Sequence, residues 1–111
     1  MNELRISLTA AFLAGGVVAY ATVAYAAQHT ITEKGKVFSQ ADISIKVGDT
    51  LVFVNDDNVA HNVMSNSADN KFNLGLLKAG SSTPVTFNAP GDIAIICAIH
   101  PSMKLQVKVT N

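Results

Sequence analysis

Turn signals recur every few residues through most of this chain. The runs between them are too short, and too rich in β-branched residues, to make helices. Residues 42–47 (DISIKV) alternate apolar and polar side chains, the period of a half-buried strand. Gly48-Asp49 marks a turn, and residues 50–55 (TLVFVN) form an apolar β-branched run suited to a buried strand. Residues 60–65 (AHNVMS) read as another short strand. Residues 66–77 are polar and contain glycine, and are read as a loop with a little local structure. Further strands are expected at residues 84–87, 93–97 and 104–109, with a Pro90-Gly91 turn after the first of these. Pro84 then stands at a strand start or edge, where its missing N–H does no harm. The stretch from Thr30 to Phe38 adds one more strand. About seven short strands without a helix predict an all-β fold, a small Greek-key antiparallel β-sandwich. Phe53, Phe72 and Phe87 are expected in the core or packing under loops, and Asp56 and Asp57 in a turn.

The start of the chain follows a different pattern. A short polar segment carrying Arg5 precedes an Ala-rich apolar run from Ile6 to about Val23, which ends in Ala24-Tyr25-Ala26. Small-x-small is the pattern a signal peptidase reads. Residues 1–26 are therefore read as a secretory leader and residues 27–111 as the domain, with Ala19-Tyr20-Ala21 as a second possible cut. An uncleaved membrane anchor is the competing reading, since the run is long enough to make that possible, but Gly15, Gly16 and the Ala-Tyr-Ala motif favour cleavage. Cleavage implies export to the periplasm, with no stable membrane association afterwards.

The formal net charge is zero, and losing Glu3 and Arg5 with the leader keeps it near zero. That argues against nucleic acid and against strong electrostatic steering of a partner. No phosphate loop, catalytic carboxylate pair or Ser/His/Asp motif is present in the sequence. A domain this small often needs a staple, but Cys97 is the only cysteine, so no internal disulfide can form. A lone cysteine in an exported chain calls for an explanation: pairing between chains, a reactive thiol or a ligand.

The short segment CAIHPSM, residues 97–103, suggests the third of these. It places Cys97, His100 and Met103 at Cys-x2-His-x2-Met spacing between two predicted strands. A thiolate, an imidazole and a thioether are soft ligands, better suited to copper than to magnesium or calcium. His61 follows the buried strand 50–55 across a short connection, so it can lie at the same end of the sandwich. Two histidines, a cysteine and a weak axial methionine form a trigonal site that compromises between the preferences of copper(I) and copper(II). Singly, each residue has a plainer reading: Cys97 as a buried hydrophobe, His61 as a surface histidine near a turn, Met103 as core. Met64 is read as core or patch rather than ligand.

NDDNVAHNV around His61, followed by CAIHPSM, resembles the cupredoxins, the blue copper proteins, and the short loop is similar to that of the amicyanin group. The resemblance covers nearly the whole of residues 27–111. It implies a Greek-key sandwich, one type 1 copper ion and one-electron transfer in an oxidising compartment. It also implies His61, Cys97, His100 and Met103 as metal ligands, with the Asn62 backbone N–H bonded to the Cys97 sulfur. Asn55 is implied to tie the two ligand-bearing loops together. Many relatives carry an aromatic residue just before the cysteine, where this chain has Ile95 and Ile96. His100 is therefore the expected electron exit, ringed by Val59, Ala60, Ile99 and Pro101 as an apolar docking patch. Redox proteins such as a c-type cytochrome and a dehydrogenase are the partners the resemblance suggests, and a monomer is expected.

His29 stands apart. After cleavage at Ala26, Ala27-Gln28-His29 would present a free amine and a histidine that can hold copper(II) in a square plane. The plainer reading is a disordered terminus. A periplasmic copper store or chaperone is the alternative to an electron carrier. An enzyme is the weakest reading, because four protein ligands leave no open position for substrate.

Overall fold

The computed structural model describes residues 16–21 and 25–111. Most of the leader read from the sequence lies outside the described residues. The remainder folds as two sheets facing each other across one core. In chain order the strands are β1 (Gln28–Lys34), β2 (Val37–Phe38), β3 (Asp42–Lys46), β4 (Thr50–Asn55) and β5 (His61–Ser65). A 3-10 turn at Ala68–Asn70 follows, then β6 (Phe72–Leu77), β7 (Ser82–Thr86), β8 (Gly91–Ile96) and β9 (Lys104–Thr110). One sheet has the order β2-β1-β4-β7 and the other β3-β9-β8-β5-β6.

The sandwich agrees with the sequence expectation, but its sheets are mixed rather than purely antiparallel. β1 pairs with β4, and β3 with β9, in parallel. Parallel neighbours need a crossover connection. The chain supplies one by passing to the opposite sheet at β3 before it returns as β4.

Two strand expectations are corrected. The single strand expected from Thr30 to Phe38 is a hairpin, because Gly35 and Lys36 both take positive φ, 64° and 59°. That pair of left-handed residues is the two-residue turn whose twist suits a hairpin. The stretch read as a loop contains β6, which pairs with β5. The terminus read as disordered is ordered from Ala27 onward: Thr50 donates its N–H to the Ala27 carbonyl at 3.0 Å, and β1 runs beside β4 from there.

Alternation explains the core. Along β4 the residues Leu51, Phe53 and Asn55 point inward and are buried, while Val52 and Val54 are only half-buried. Phe53, Phe87, Ile31, Ile93, Ile95, Leu105 and Val107 fill the interior. Each contributes about 1.5–3 kcal/mol by leaving water. Cys97 and Met103 belong to the same cluster. Their positions are thus fixed by the packing that holds the sheets together.

Candidate metal centre

β5 and the segment between β8 and β9 meet at one end of the sandwich. The expected residues His61, Cys97 and His100 come together there. Their ligating atoms lie within 4.8 Å of one another. The two imidazoles approach Nδ1 to Nδ1 at 3.1 Å, and Cys97 Sγ lies 3.8 Å from His100 Nδ1. Nitrogen and sulfur donors typically bind a metal at about 2.0–2.3 Å, so atoms this close can share one ion. His61 and Cys97 are fully buried, and His100 is half-buried. Met103 is 1% exposed. Its N–H bonds the His100 carbonyl at 2.9 Å, and its carbonyl accepts the Cys97 N–H at 3.3 Å, which closes the loop on itself.

The hydrogen bonds behind the cluster orient it. His61 donates Nε2–H to Asp57 Oδ2 at 2.8 Å, which leaves Nδ1 as the lone-pair nitrogen facing the other donors. The same oxygen accepts the Lys36 backbone N–H at 3.0 Å, so the left-handed β1–β2 turn clamps the carboxylate. The His61 ring first, and the Lys36 amide after it, hold the Asp57 carboxyl down at about 2. Asp57 is thus more than the turn residue expected from sequence.

Asn62 donates its backbone N–H to Cys97 Sγ at 3.2 Å, as the resemblance implies. Its side chain joins the two ligand-bearing segments: Oδ1 accepts the Ala98 N–H at 3.0 Å. Nδ2 donates to Asn73 Oδ1 and to the Gly75 carbonyl, both at 2.8 Å. A register shift between β5 and β6 at Asn62/Met64 makes this possible, with Gly75 at φ 71°. Such bulges commonly re-aim side chains beside functional sites.

Asn55 does not tie the two ligand-bearing loops, which corrects the expectation. Its Nδ2 bonds the carbonyls of Val59 and Leu77, each at 2.9 Å, and its Oδ1 accepts the Asp57 N–H at 3.0 Å. It shapes the turn before His61 and fastens it to β6.

Glu33 escaped the sequence reading altogether. It lies on the inward face of β1 beside Ile31 and is fully buried, and neither carboxyl oxygen has a hydrogen-bond partner among the described residues. Burial pushes its carboxyl up to about 7, against a lowering pull from His61. Around His100 the surface is apolar: Val59 and Ile99 are 38% and 48% exposed, and Ala60, Ala98 and Pro101 are exposed beside them.

The His29 alternative fares differently. Its Nε2 sits 3.2 Å from Asp49 Oδ2, and the Ala27 nitrogen sits 2.8 Å from Asp49 Oδ1. The Ala27 nitrogen and the imidazole, two of the four donors a square-planar site would use, are engaged by one carboxylate, and Gln28 and His29 lie in the β1–β4 ladder.

Comparison with known proteins agrees with this geometry. Copper-binding proteins of the plastocyanin/azurin family match residues 25–110. Amicyanin-alpha of Methylorubrum extorquens is 31% identical over 106 residues, covering 93% of this chain and 88% of its own. A copper-containing nitrite reductase from Thermus scotoductus superposes with TM-score 0.71 at 28% identity, covering 89% of this chain but only 26% of the reductase. A purple cupredoxin from Nitrosopumilus maritimus gives TM-score 0.65 at 26% identity over 74% of this chain and 99% of its own. The chain belongs to the plastocyanin/azurin family of copper-binding proteins, a cupredoxin similar to amicyanin, and its cofactor is copper.

Proposed function

We propose that this protein is a periplasmic electron carrier in which residues 27–111 hold one type 1 copper ion through His61, Cys97, His100 and Met103. The convergence of two ring nitrogens and one thiol within 4.8 Å, two of the three residues fully buried, carries the reading. Copper bound there supplies a one-electron couple between its two oxidation states. The chain's own residues hold the donor set in place. Asp57 fixes the His61 tautomer, and Asn62 braces the sulfur. Core packing around Cys97 and Met103 keeps water out. A donor set anchored this way needs little rearrangement when charge changes, which suits a carrier.

Electrons enter and leave at His100, the ligand nearest solvent. The apolar ring of Val59, Ala60, Ile99 and Pro101 suits brief docking by redox proteins, for which a c-type cytochrome and a dehydrogenase are the candidate classes. The carrier acts as a monomer with no substrate of its own, and the leader is removed after Ala26.

A carrier must keep its metal through turnover, whereas a copper store or chaperone must release it. The copper-loaded protein is cycled repeatedly between ascorbate and ferricyanide in the presence of a copper(I) chelator. Retention of one copper per chain is the expected result. Loss of copper to the chelator on each reduction would favour the storage reading instead.

A further inference from the structure

At the opposite end of β1 from the metal centre, Asp49 gathers donors from three directions. Oδ1 accepts the Ala27 backbone nitrogen at 2.8 Å, and Oδ2 accepts the Lys46 N–H at 3.0 Å and faces His29 Nε2 at 3.2 Å. Asp49 is only 5% exposed. The ordered sheet starts at the same place: the Ala27 carbonyl takes the Thr50 N–H, and β1 begins at Gln28. Tyr25 and Ala26, just before the Ala26–Ala27 bond, are exposed, Tyr25 at 85%. The first strand thus begins two residues after Ala26, and the contacts that anchor it begin at Ala27.

We infer that Asp49 is the receptor for the amino terminus of the processed chain, pairing with an α-ammonium on Ala27 and fastening β1 to its sheet. The inference rests on reading residues 1–26 as a leader. A signal-peptidase-type protease adds one water across the Ala26–Ala27 amide. Ala26 departs with the carboxylate, and the Ala27 amine takes up a proton. One neutral N–H donor becomes a cation already seated on a carboxylate, and charge-assisted hydrogen bonds are roughly twice as strong as neutral ones. The same seat discriminates between the two candidate cuts. Cleavage after Ala21 would leave Ala27 an uncharged amide behind a tail. It also opposes copper(II) capture by Ala27-Gln28-His29, which would have to pull amine and imidazole off Asp49 and unzip the first residues of β1.

The test uses the full 111-residue chain, exported, copper-loaded and purified. The intact mass is expected to correspond to residues 27–111. A cut at any other bond overturns the inference. Two changes are then made singly and together: Asp49→Asn, and a Gly-Ser insertion between Ala26 and Ala27 that keeps the cut site but displaces the terminus. The insertion is expected to lower the thermal midpoint by about 4–8 °C with Asp49 present, the size of shift a moderate contact makes in a small domain. It should leave the Asp49→Asn midpoint unmoved. An insertion that costs nothing with Asp49 present, or costs the same in both backgrounds, refutes the inference. If Asp49→Asn fails to fold, the mass and the insertion alone still decide. The visible spectrum reads the other end of the molecule, so failure here is separable from failure of the copper assignment.

Discussion

Asn62 holds the Cys97 sulfur with its backbone, at 3.2 Å, and the next residue of the same loop, Ala98, with its side chain, at 3.0 Å. One residue of β5 thereby sets the position of a thiol contributed by a segment 35 residues away. Asn62→Ala keeps the backbone bond but removes the side-chain brace and strands the Ala98 N–H. The expected cost is about 0.5–1.5 kcal/mol in chemical unfolding for each of the part-buried side-chain hydrogen bonds lost. A broadened or shifted visible band should accompany it. An unchanged unfolding midpoint would show that the loop is held by other means.

Asp57 acts through His61. Asp57→Ala removes the acceptor that selects the His61 tautomer, and a partner of this kind is typically worth 10–100-fold in metal affinity. A copper competition titration at neutral pH should show a loss in that range. The pH sense also follows. The folded carboxyl titrates at about 2, below its ordinary 3.8. Its contribution is therefore complete above about 3.8, and is lost as the pH falls toward 2.

Glu33 has the opposite sign. Its folded pKa, about 7, lies above the ordinary 4.5. Between those values the folded chain binds more protons than the unfolded one, so stability falls as the pH rises from 4.5 to 7 and stays lower above. Glu33→Gln removes the ionisation. In the copper-free protein it should match the wild type at pH 4 and exceed it by about 1–3 kcal/mol at pH 8. Denaturant midpoints at the two pH values check this, and equal differences at both would contradict it.

Met103 is fixed by both its backbone groups and by the core, so Met103→Leu is close to volume-conserving and should cost under about 1.5 kcal/mol in stability. In the proposed ligand set Met103 is the weak axial ligand, so its loss should leave copper bound while moving the reduction potential. Voltammetry of the loaded variant reads the shift. An unchanged potential would remove Met103 from the ligand set.

The cluster was legible because local spacing fixes it: Cys97, His100 and Met103 share one loop, and His61 follows a strand whose burial is written in TLVFVN. The long-range features were not. Nothing local in FNLGLL marks β6 as a strand, since Asn73 and Gly75 read as turn residues. Gly75 instead falls in the register shift between β5 and β6, and Asn73, paired with Met64, joins it in bracing Asn62. The parallel pairings of β1 with β4 and β3 with β9 depend on which sheet each connection reaches, and no residue pattern encodes that. Glu33 was missed because carboxylates are rarely buried unpaired. Asp57 was missed because its clamp comes from Lys36, whose left-handed backbone no sequence rule for lysine would suggest.

The most direct test of the central claim is the visible absorption and electron spin-resonance spectrum after one equivalent of copper(II), taken on the wild type and Cys97→Ala. The account predicts an intense blue thiolate-to-copper band in the wild type, bleached by ascorbate, restored by an oxidant and absent from Cys97→Ala. A pale tetragonal signal that survives in Cys97→Ala would place the metal elsewhere and contradict the ligand set.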